Sequence, residues 1–200
     1  MNRNAGDRQH DELAQVAARI YCVERLTDYR LAKQKAAQRL NLGPRAALPD
    51  NAAVQRAVIG YQQLFGGAGY RERLRLLRET AARAMKLLAE FLPRLAGGAV
   101  SGAVHAAHRV QLHAFCDAPE TLEIFLRNHG IACTQDDRSY RYAGGAEQQR
   151  PLLRFEASDI GVDVAIFPAD ELRRPPLDPA DGQPFARLGA QAVEVLLREN

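Results

Sequence analysis

The spacing of apolar residues changes at Pro93, and this change restricts the fold more than any other feature of the sequence. Before Pro93, apolar residues recur every three or four positions, which is the spacing of amphipathic helices. After it, residues 109–115 (RVQLHAF) alternate between apolar and polar, and the apolar stretches at 151–157 and 161–168 are also typical of strands. The sequence therefore predicts an α+β protein, with an N-terminal helical region followed by a mixed β-sheet with flanking helices.

Four helices are predicted before Pro93, and the residues at their ends support them. Asp28 and Asp50 are suitable N-caps for the second and third helices, because a carboxylate accepts hydrogen bonds from free backbone amides. Gly and Pro residues at 43–44 and 66–67 are expected to end the same two helices. The four predicted ranges are 10–26, 29–42, 51–65 and 70–92.

The second half is predicted to combine strands with two further helices. One helix begins at Pro119, a residue favoured in the first turn, and a terminal helix covers 186–200. Asp136–Asp137 is expected to form a loop between two short strands at 131–135 and 138–142. The remaining strands are predicted near 94–96, 109–115, 151–156 and 161–167.

The two halves of the chain also differ in charge. Residues 1–92 contain 16 Lys and Arg against 9 Asp and Glu, whereas residues 93–200 contain 11 against 15. Together with the change in spacing, this asymmetry predicts a basic helical N-terminal region at 1–69 and an α/β domain with a C-terminal helix at 70–200. The basic region either meets a polyanion or consists of helices whose arginine-rich faces are simply solvated.

Neither membrane insertion nor secretion is expected from the sequence. No apolar stretch approaches the roughly 20 residues that span a bilayer, and the polar N-terminus does not resemble a signal peptide. The sequence contains three cysteines, Cys22, Cys116 and Cys133, and no two of them form a CxxC motif. A cytoplasmic protein with no membrane partner is therefore predicted.

The segment that leads into the sheet contains the main functional signal. A predicted strand ends at Gly97–Gly98, and a stretch of small residues then leads to the strand at 109–115. Glycines at such a turn allow backbone amides to approach a phosphate group, and a helix start favours anions. Gly97 and Gly98 are therefore candidate phosphate-binding residues, although a glycine pair is also common in ordinary turns.

This segment resembles the DNA polymerase β-like nucleotidyltransferase superfamily over about residues 70–168. Ala96–Gly98 matches the hydrophobic-Gly-Gly pattern of that family, and Gly102–Ala103 matches the small residues that follow it. The stretch HRVQLHAF, at 108–115, lies where the family has its Asp-x-Asp strand, and Asp163 lies where it has a third carboxylate. The stretches LHAF, RFEA and IFP also resemble small bacterial nucleotidyltransferase-like proteins of undetermined function.

The chain departs from this family at the residues that bind metal. Arg109 and Gln111 occupy the positions of the first two carboxylates. Mg²⁺ prefers anionic oxygen ligands, whereas arginine is a cation without a lone pair and glutamine offers a neutral carbonyl. The resemblance therefore implies a nucleotidyltransferase fold without catalytic residues, bound metal or cofactor. The alternative is an active nucleotidyltransferase with an atypical metal site.

Arg109 has two predicted roles in such a site. In the first, it binds phosphate directly, together with Gly97, Gly98, Gln111 and Asp163. In the second, it forms a salt bridge with Asp163 and fills the place of the metal. Both roles require Asp163 to face Arg109 and Gln111 from a neighbouring strand.

A zinc site is a further alternative. His105, His108 and His113 lie close together in the sequence, and Asp163 is a fourth candidate ligand. Three imidazoles and a carboxylate suit Zn²⁺, but their spacing matches no established zinc signature.

The second predicted helix contains the cations that suggest nucleic-acid binding. Phosphate contacts require only such cations, and Gln34 and Gln38 are available for base contacts. The sequence thus predicts a binding or regulatory protein whose partner is a nucleotide, a nucleic acid or another protein. The candidate nucleic-acid contacts are Arg30, Lys33, Lys35 and Arg39, with Arg45 and Arg56 following them.

Overall fold

The computed structural model describes residues 3–43 and 46–198, with side chains from Arg8 onwards. In this part of the chain, seven α-helices and a five-stranded mixed sheet confirm the predicted α+β class. The helices and strands form two compact units. The first comprises Met1–Arg73, Gly102–His108 and Pro179–Asp181, and the second comprises Leu74–Ser101, Arg109–Asp178 and Gly182–Asn200.

The first unit is a helical core. Helix α1 (Arg3–Val23) packs against both α2 (Tyr29–Arg39) and α3 (Asn51–Phe65). Helix α2 approaches its neighbours through small side chains, whereas α1 and α3 contribute larger ones. The fully buried residues of this core include Leu13, Ala17, Ala32, Ala36, Val54 and Val58.

The predicted N-caps are present, but three helices end earlier than expected. The Asp28 and Asp50 carboxylates accept hydrogen bonds from the amides two and three residues later, at 2.7 and 2.6 Å. Helices α1 and α2 end three residues before their predicted ends. The reason is that Arg25 and Asn41 adopt left-handed backbone conformations, with φ of 55° and 51°, which stop a right-handed helix.

Helix α4 spans Gly67–Leu87, and a single 3-10 turn follows it at Ala89–Phe91. The helix begins three residues earlier and ends five residues earlier than predicted. The apolar stripe predicted for this helix is buried, although its last two residues follow the end of α4: Leu74, Leu77, Ala81, Ala84, Leu88 and Phe91.

The sheet of the second unit has the order β1-β2-β5-β4-β3. Strands β2 and β5 are parallel, and all other neighbours are antiparallel. Every residue of β5 is buried, in keeping with its central position. The strands are β1 (Arg94–Ala96), β2 (Val110–Phe115), β3 (Thr134–Arg141), β4 (Glu147–Ala157) and β5 (Ile160–Phe167).

Strand β3 corrects the prediction of two short strands separated by a loop. Asp136 and Asp137 lie inside the strand, because β3 pairs with β4 along its whole length. Strand β4 also begins earlier than predicted and includes Pro151. Proline is tolerated at this position because the pairing of β4 with β5 begins only at Leu152. The missing N–H of Pro151 therefore interrupts no hydrogen bond between β4 and β5.

Three further helices belong to the second unit. They are α5 (Gly98–Ser101), α6 (Pro119–Asn128) and α7 (Ala190–Arg198). Helix α6 begins at its predicted proline, but Ile124, expected on its buried stripe, is half exposed. Helix α7 begins four residues later than predicted, because Leu188 instead exchanges two backbone hydrogen bonds with Leu95 of β1.

Candidate functional site

Strands β2 and β5 bring together the residues predicted to form the site. In the parallel pairing of the two strands, Gln111 lies opposite Asp163. Arg109, just before β2, donates a hydrogen bond from Nε to Asp163 Oδ1 at 2.6 Å. Asp163 is only 5% exposed, so this is a partly buried ion pair. The salt bridge predicted between Arg109 and Asp163 is therefore present.

The remaining nitrogens of Arg109 are also bonded. Nη1 donates to the Glu156 carboxylate and Nη2 donates to the Phe155 carbonyl at 3.1 Å. Burial lowers the pKa of Arg109, but the hydrogen bonds to Glu156 and Asp163 outweigh it and raise the pKa overall. The guanidinium lies against Gly161, where any Cβ would overlap it. Arg109 is therefore fixed in position as a permanent cation.

Two arginines that the sequence analysis missed complete the surroundings of Asp163. Arg138 Nη2 lies 3.4 Å and Arg154 Nε lies 3.9 Å from Asp163 Oδ2. Arg154 also pairs with Asp136, at 2.9 Å. We call Arg109, Arg138 and Arg154 the arginine cluster. Three cations thus share one buried carboxylate, and each of the three is partly exposed.

A signal for these two arginines is present in the sequence. Arg154 lies opposite Asp163 in the β4–β5 pairing, so strand alternation alone places both on one face. Arg138 reaches the same face only because β3 is a single strand. Dividing β3 into two strands and a loop concealed that placement.

The predicted phosphate turn is occupied by a side chain. Gly97 has a φ of 70°, which favours glycine, and its carbonyl accepts hydrogen bonds from the amides of Val100 and Ser101. A Cβ on Gly97 would lie 2.8 Å from Gln111 Cδ. The Gln111 amide therefore fills the space that the glycine leaves open. Gly98 begins α5, which is a single turn of four residues.

His105 and His108 form a bonded pair within the first unit. His108 Nδ1 accepts a hydrogen bond from the His105 amide at 3.0 Å, and its Nε2 lies 3.2 Å from the Tyr21 hydroxyl. His105 Nε2 lies 2.7 Å from the Leu26 carbonyl. Burial lowers the pKa of His108 to about 3 and also lowers that of His105, so both rings are neutral near pH 7.

His113 belongs to the second unit and has other neighbours. Its ring is 1% exposed and packs against Tyr140, Phe167 and Phe185, with centroid distances of 4.6 to 5.5 Å. Within the described residues, no three His, Cys, Asp or Glu side chains are grouped so that they could hold a metal ion.

The cations of α2 do not share one face. At 100° per residue, Arg30 and Arg39 are nine residues apart and lie on opposite sides of the helix. Both are exposed, whereas Lys33 donates hydrogen bonds to the Pro49 carbonyl and to Asn51 Oδ1, at 3.0 and 2.8 Å. Lys35 pairs with Glu24. Arg45 lies outside the described residues, and Arg56 is exposed on α3.

A pocket of about 330 Å³ lies beside the start of α6. Its acidic lining disfavours an anionic ligand, in contrast to the arginine cluster. The carboxylates that line it are Glu120, Glu123, Asp136 and Asp137.

Among the described residues, no helix combines the length and apolar character that a membrane span requires. Comparison with protein-family models, with curated proteins and with solved structures gave no significant match.

Proposed function

We propose that this chain is a nucleotide-binding protein, related to nucleotidyltransferases, that has lost metal-dependent catalysis and acts in binding or regulation. The observation that carries the proposal is the position of the Arg109 guanidinium, bonded to Asp163 and Glu156. In the family that the chain resembles, a metal-binding carboxylate occupies the position of Arg109.

The surroundings of Arg109 disfavour a divalent ion. Two unit charges of the same sign at 4 Å repel each other by about 4 kcal/mol at the effective dielectric near a protein surface, and a divalent ion is repelled more strongly. Arg109 cannot leave easily, since three of its nitrogens are bonded. Gln111, at the second carboxylate position, offers a neutral oxygen and packs on Gly97.

Arg138 and Arg154 support the nucleotide part of the proposal. Arginine binds phosphate through parallel N–H···O hydrogen bonds and needs no metal to do so. Within the described residues, the only carboxylate that pairs with Arg138 is Asp163, at 3.4 Å, and the Tyr140 hydroxyl is a further hydrogen-bond partner, so others of its five donors remain for a ligand. We therefore assign the phosphate contacts first to Arg138 and Arg154, and assign Arg109 to holding Asp163.

Calorimetric titration with nucleoside triphosphates tests this proposal. We expect binding that is unchanged by EDTA, and Arg138→Ala or Arg154→Ala is expected to weaken it about tenfold or more, as for a hydrogen bond to a charged group. The matched control is Arg141→Ala, an exposed arginine that lies three residues after Arg138 on β3 and so points from the opposite face. No nucleotide binding, or equal losses in all three variants, would refute the proposal.

A transfer assay with radiolabelled nucleoside triphosphates addresses the alternative. Transfer by the wild-type chain that is abolished by EDTA would indicate an active nucleotidyltransferase with an atypical metal site. The proposal predicts no transfer above that of a heat-denatured sample.

Nucleic-acid binding by the first unit is the second candidate function. The cations available for it are Arg30, Arg39 and Arg56, which are exposed, but Arg30 and Arg39 lie on opposite sides of α2 and could not both contact one strand face, while Lys33 and Lys35 already contact protein groups. A protein partner is the remaining possibility for this surface. We place the protein in the cytoplasm, where separate thiols such as Cys22 stay reduced.

A further inference from the structure

A second group of arginine and aromatic side chains lies on the sheet of the second unit. The Arg187 guanidinium stacks over Phe167 and Phe115, with its central carbon 4.6 and 5.1 Å from the ring centroids. Its Nε donates to Nδ1 of His113 at 2.9 Å. Tyr140 of β3 packs edge-on against the same His113 ring, at 5.5 Å. We call Arg187, Tyr140 and His113 the Arg187 cluster.

Arg187 is a partly buried cation without a carboxylate partner among the described residues. Nη1 donates to the backbone carbonyl of Glu171 at 2.9 Å, whereas the Glu171 carboxylate is bonded to Arg150 and Tyr142. Nη2 is shielded from solvent and makes no hydrogen bond to a described residue. Burial lowers the pKa of Arg187 to about 10, as expected for a cation whose charge is poorly compensated.

The Tyr140 hydroxyl is a second buried donor, and its proton has no acceptor among the described residues. Tyr140 is 5% exposed, and its hydroxyl makes no hydrogen bond of acceptable geometry to the described residues. Burial raises the pKa of Tyr140 overall, while Arg138, which also approaches the hydroxyl oxygen as a hydrogen-bond donor, and Arg187 lower it through their charges. Native proteins pair nearly all buried polar groups, so two orphaned donors beside one ring call for a shared acceptor.

We propose that the Arg187 cluster is a binding site for a compact oxyanion, a phosphoryl group, which accepts hydrogen bonds from Arg187 Nη2 and the Tyr140 hydroxyl. An oxyanion has several acceptor oxygens for these donors and also neutralises the guanidinium. His113 stays neutral and accepts the hydrogen bond from Arg187 Nε through Nδ1, so it orients the guanidinium without adding a charge.

The ion reaches the site when the segment that carries Arg187 moves. Residues 182–189 also contain Phe185, which packs on the rings of His113 and Tyr140. This segment forms no strand and is attached by isolated bridges, one of them between Leu188 and Leu95. It can therefore shift without disrupting the ladders of the sheet. The proposed site does not depend on nucleotide binding at the arginine cluster.

Thermal unfolding in phosphate-free buffer, with ionic strength held constant by NaCl, tests the site with inorganic phosphate as the probe. We expect phosphate to raise Tm in a saturable manner, because a ligand that binds only the folded state stabilises it, whereas added chloride does not. Arg187→Gln is expected to abolish this shift. Tyr140→Phe is expected to weaken phosphate affinity about tenfold or more, the loss of one hydrogen bond to a charged group.

The behaviour of Tyr140→Phe without phosphate separates binding from structure. Removing a buried hydroxyl whose proton has no acceptor is expected to leave Tm nearly unchanged. The matched control is Tyr142→Phe, because the Tyr142 hydroxyl is bonded to Glu171 and Arg150. That variant is expected to lower Tm and to keep the full phosphate response.

Three results would overturn the proposal: no phosphate-dependent shift in the wild type, an unchanged phosphate affinity in Tyr140→Phe, or a shift lost in Arg154→Ala. The last would place phosphate at the arginine cluster instead. Competition shows the source of the phosphoryl group. If nucleoside triphosphates displace inorganic phosphate from the wild type but not from Arg154→Ala, the phosphoryl group bound at the Arg187 cluster belongs to a nucleotide. If they do not displace it, the ligand is free phosphate.

Discussion

Replacing Gly161 with alanine tests whether the Arg109 guanidinium is held where the structure places it. Gly161 lies in β5 and its backbone is not left-handed, so alanine fits the local conformation. At such a position the exchange usually stabilises a protein by about 0.5–1 kcal/mol, because alanine restricts the unfolded chain. Here the new Cβ would overlap the guanidinium, and even Nε would lie only 2.6 Å away.

The guanidinium must therefore leave, and its hydrogen bonds to Asp163, Glu156 and the Phe155 carbonyl are lost. A hydrogen bond to a charged group contributes about 1.5–3 kcal/mol, but the partial exposure of Arg109 and the remaining Arg138 reduce the loss. We expect a net loss of about 1–2 kcal/mol in the free energy of unfolding, opposite in sign to an ordinary exchange of this kind.

Urea denaturation of a double-mutant cycle with Arg109→Ala measures this effect. In the Arg109→Ala background there is no guanidinium to displace, so Gly161→Ala is expected to be neutral or stabilising. Gly60→Ala is the control: Gly60 lies in α3 with open space around it, and the exchange is expected to stabilise by about 1 kcal/mol. If Gly161→Ala stabilises the wild type, or has the same effect in both backgrounds, the guanidinium is not held against Gly161.

Three further predictions concern metal, pH and nucleic acid. Arg109→Asp combined with Gln111→Asp is expected to create a Mg²⁺ site that calorimetry detects, at a cost in stability from clustered carboxylates. The absence of a heat of Mg²⁺ binding would contradict this prediction. Because burial lowers the pKa of His108 from 6.5 to about 3, its contribution to stability is complete above pH 6.5 and falls as pH decreases, by about 2 kcal/mol at pH 5. Urea denaturation at pH 5 and above pH 6.5 checks this, and His108→Gln should reduce the difference in the free energy of unfolding between the two conditions. If Arg30 and Arg39 contact nucleic acid, affinity should fall steeply between about 50 and 200 mM salt in a gel-shift assay; a flat response or no shift excludes it.

The sequence predicted those features that depend on local chemistry or on one regular strand. Asp28 and Asp50 act as N-caps because their carboxylates reach amides two and three residues away. Asp163 faces Gln111 because alternation fixes which side chains share a face once two strands are neighbours.

Features that depend on distant pairing could not be predicted in the same way. Asp136 and Asp137 have low strand propensity, so only the pairing of β3 with β4 explains their conformation. Arg138 was missed for that reason. Arg187 meets His113 across 74 residues of chain, after a proline-rich connection that encodes no regular spacing. The Gln111 amide beside Gly97 is likewise a tertiary contact without a sequence pattern.

The attachment of Arg109 to the chain has a consequence for how such a site responds to the cell. A bound metal ion exchanges with solution, so its occupancy follows the free metal concentration and competition from chelators. The guanidinium beside Asp163 does not dissociate, and its pKa is raised, so its charge is constant at every physiological pH. Whatever binds to this face of the sheet therefore meets the same local charge whether the surrounding magnesium is abundant or scarce.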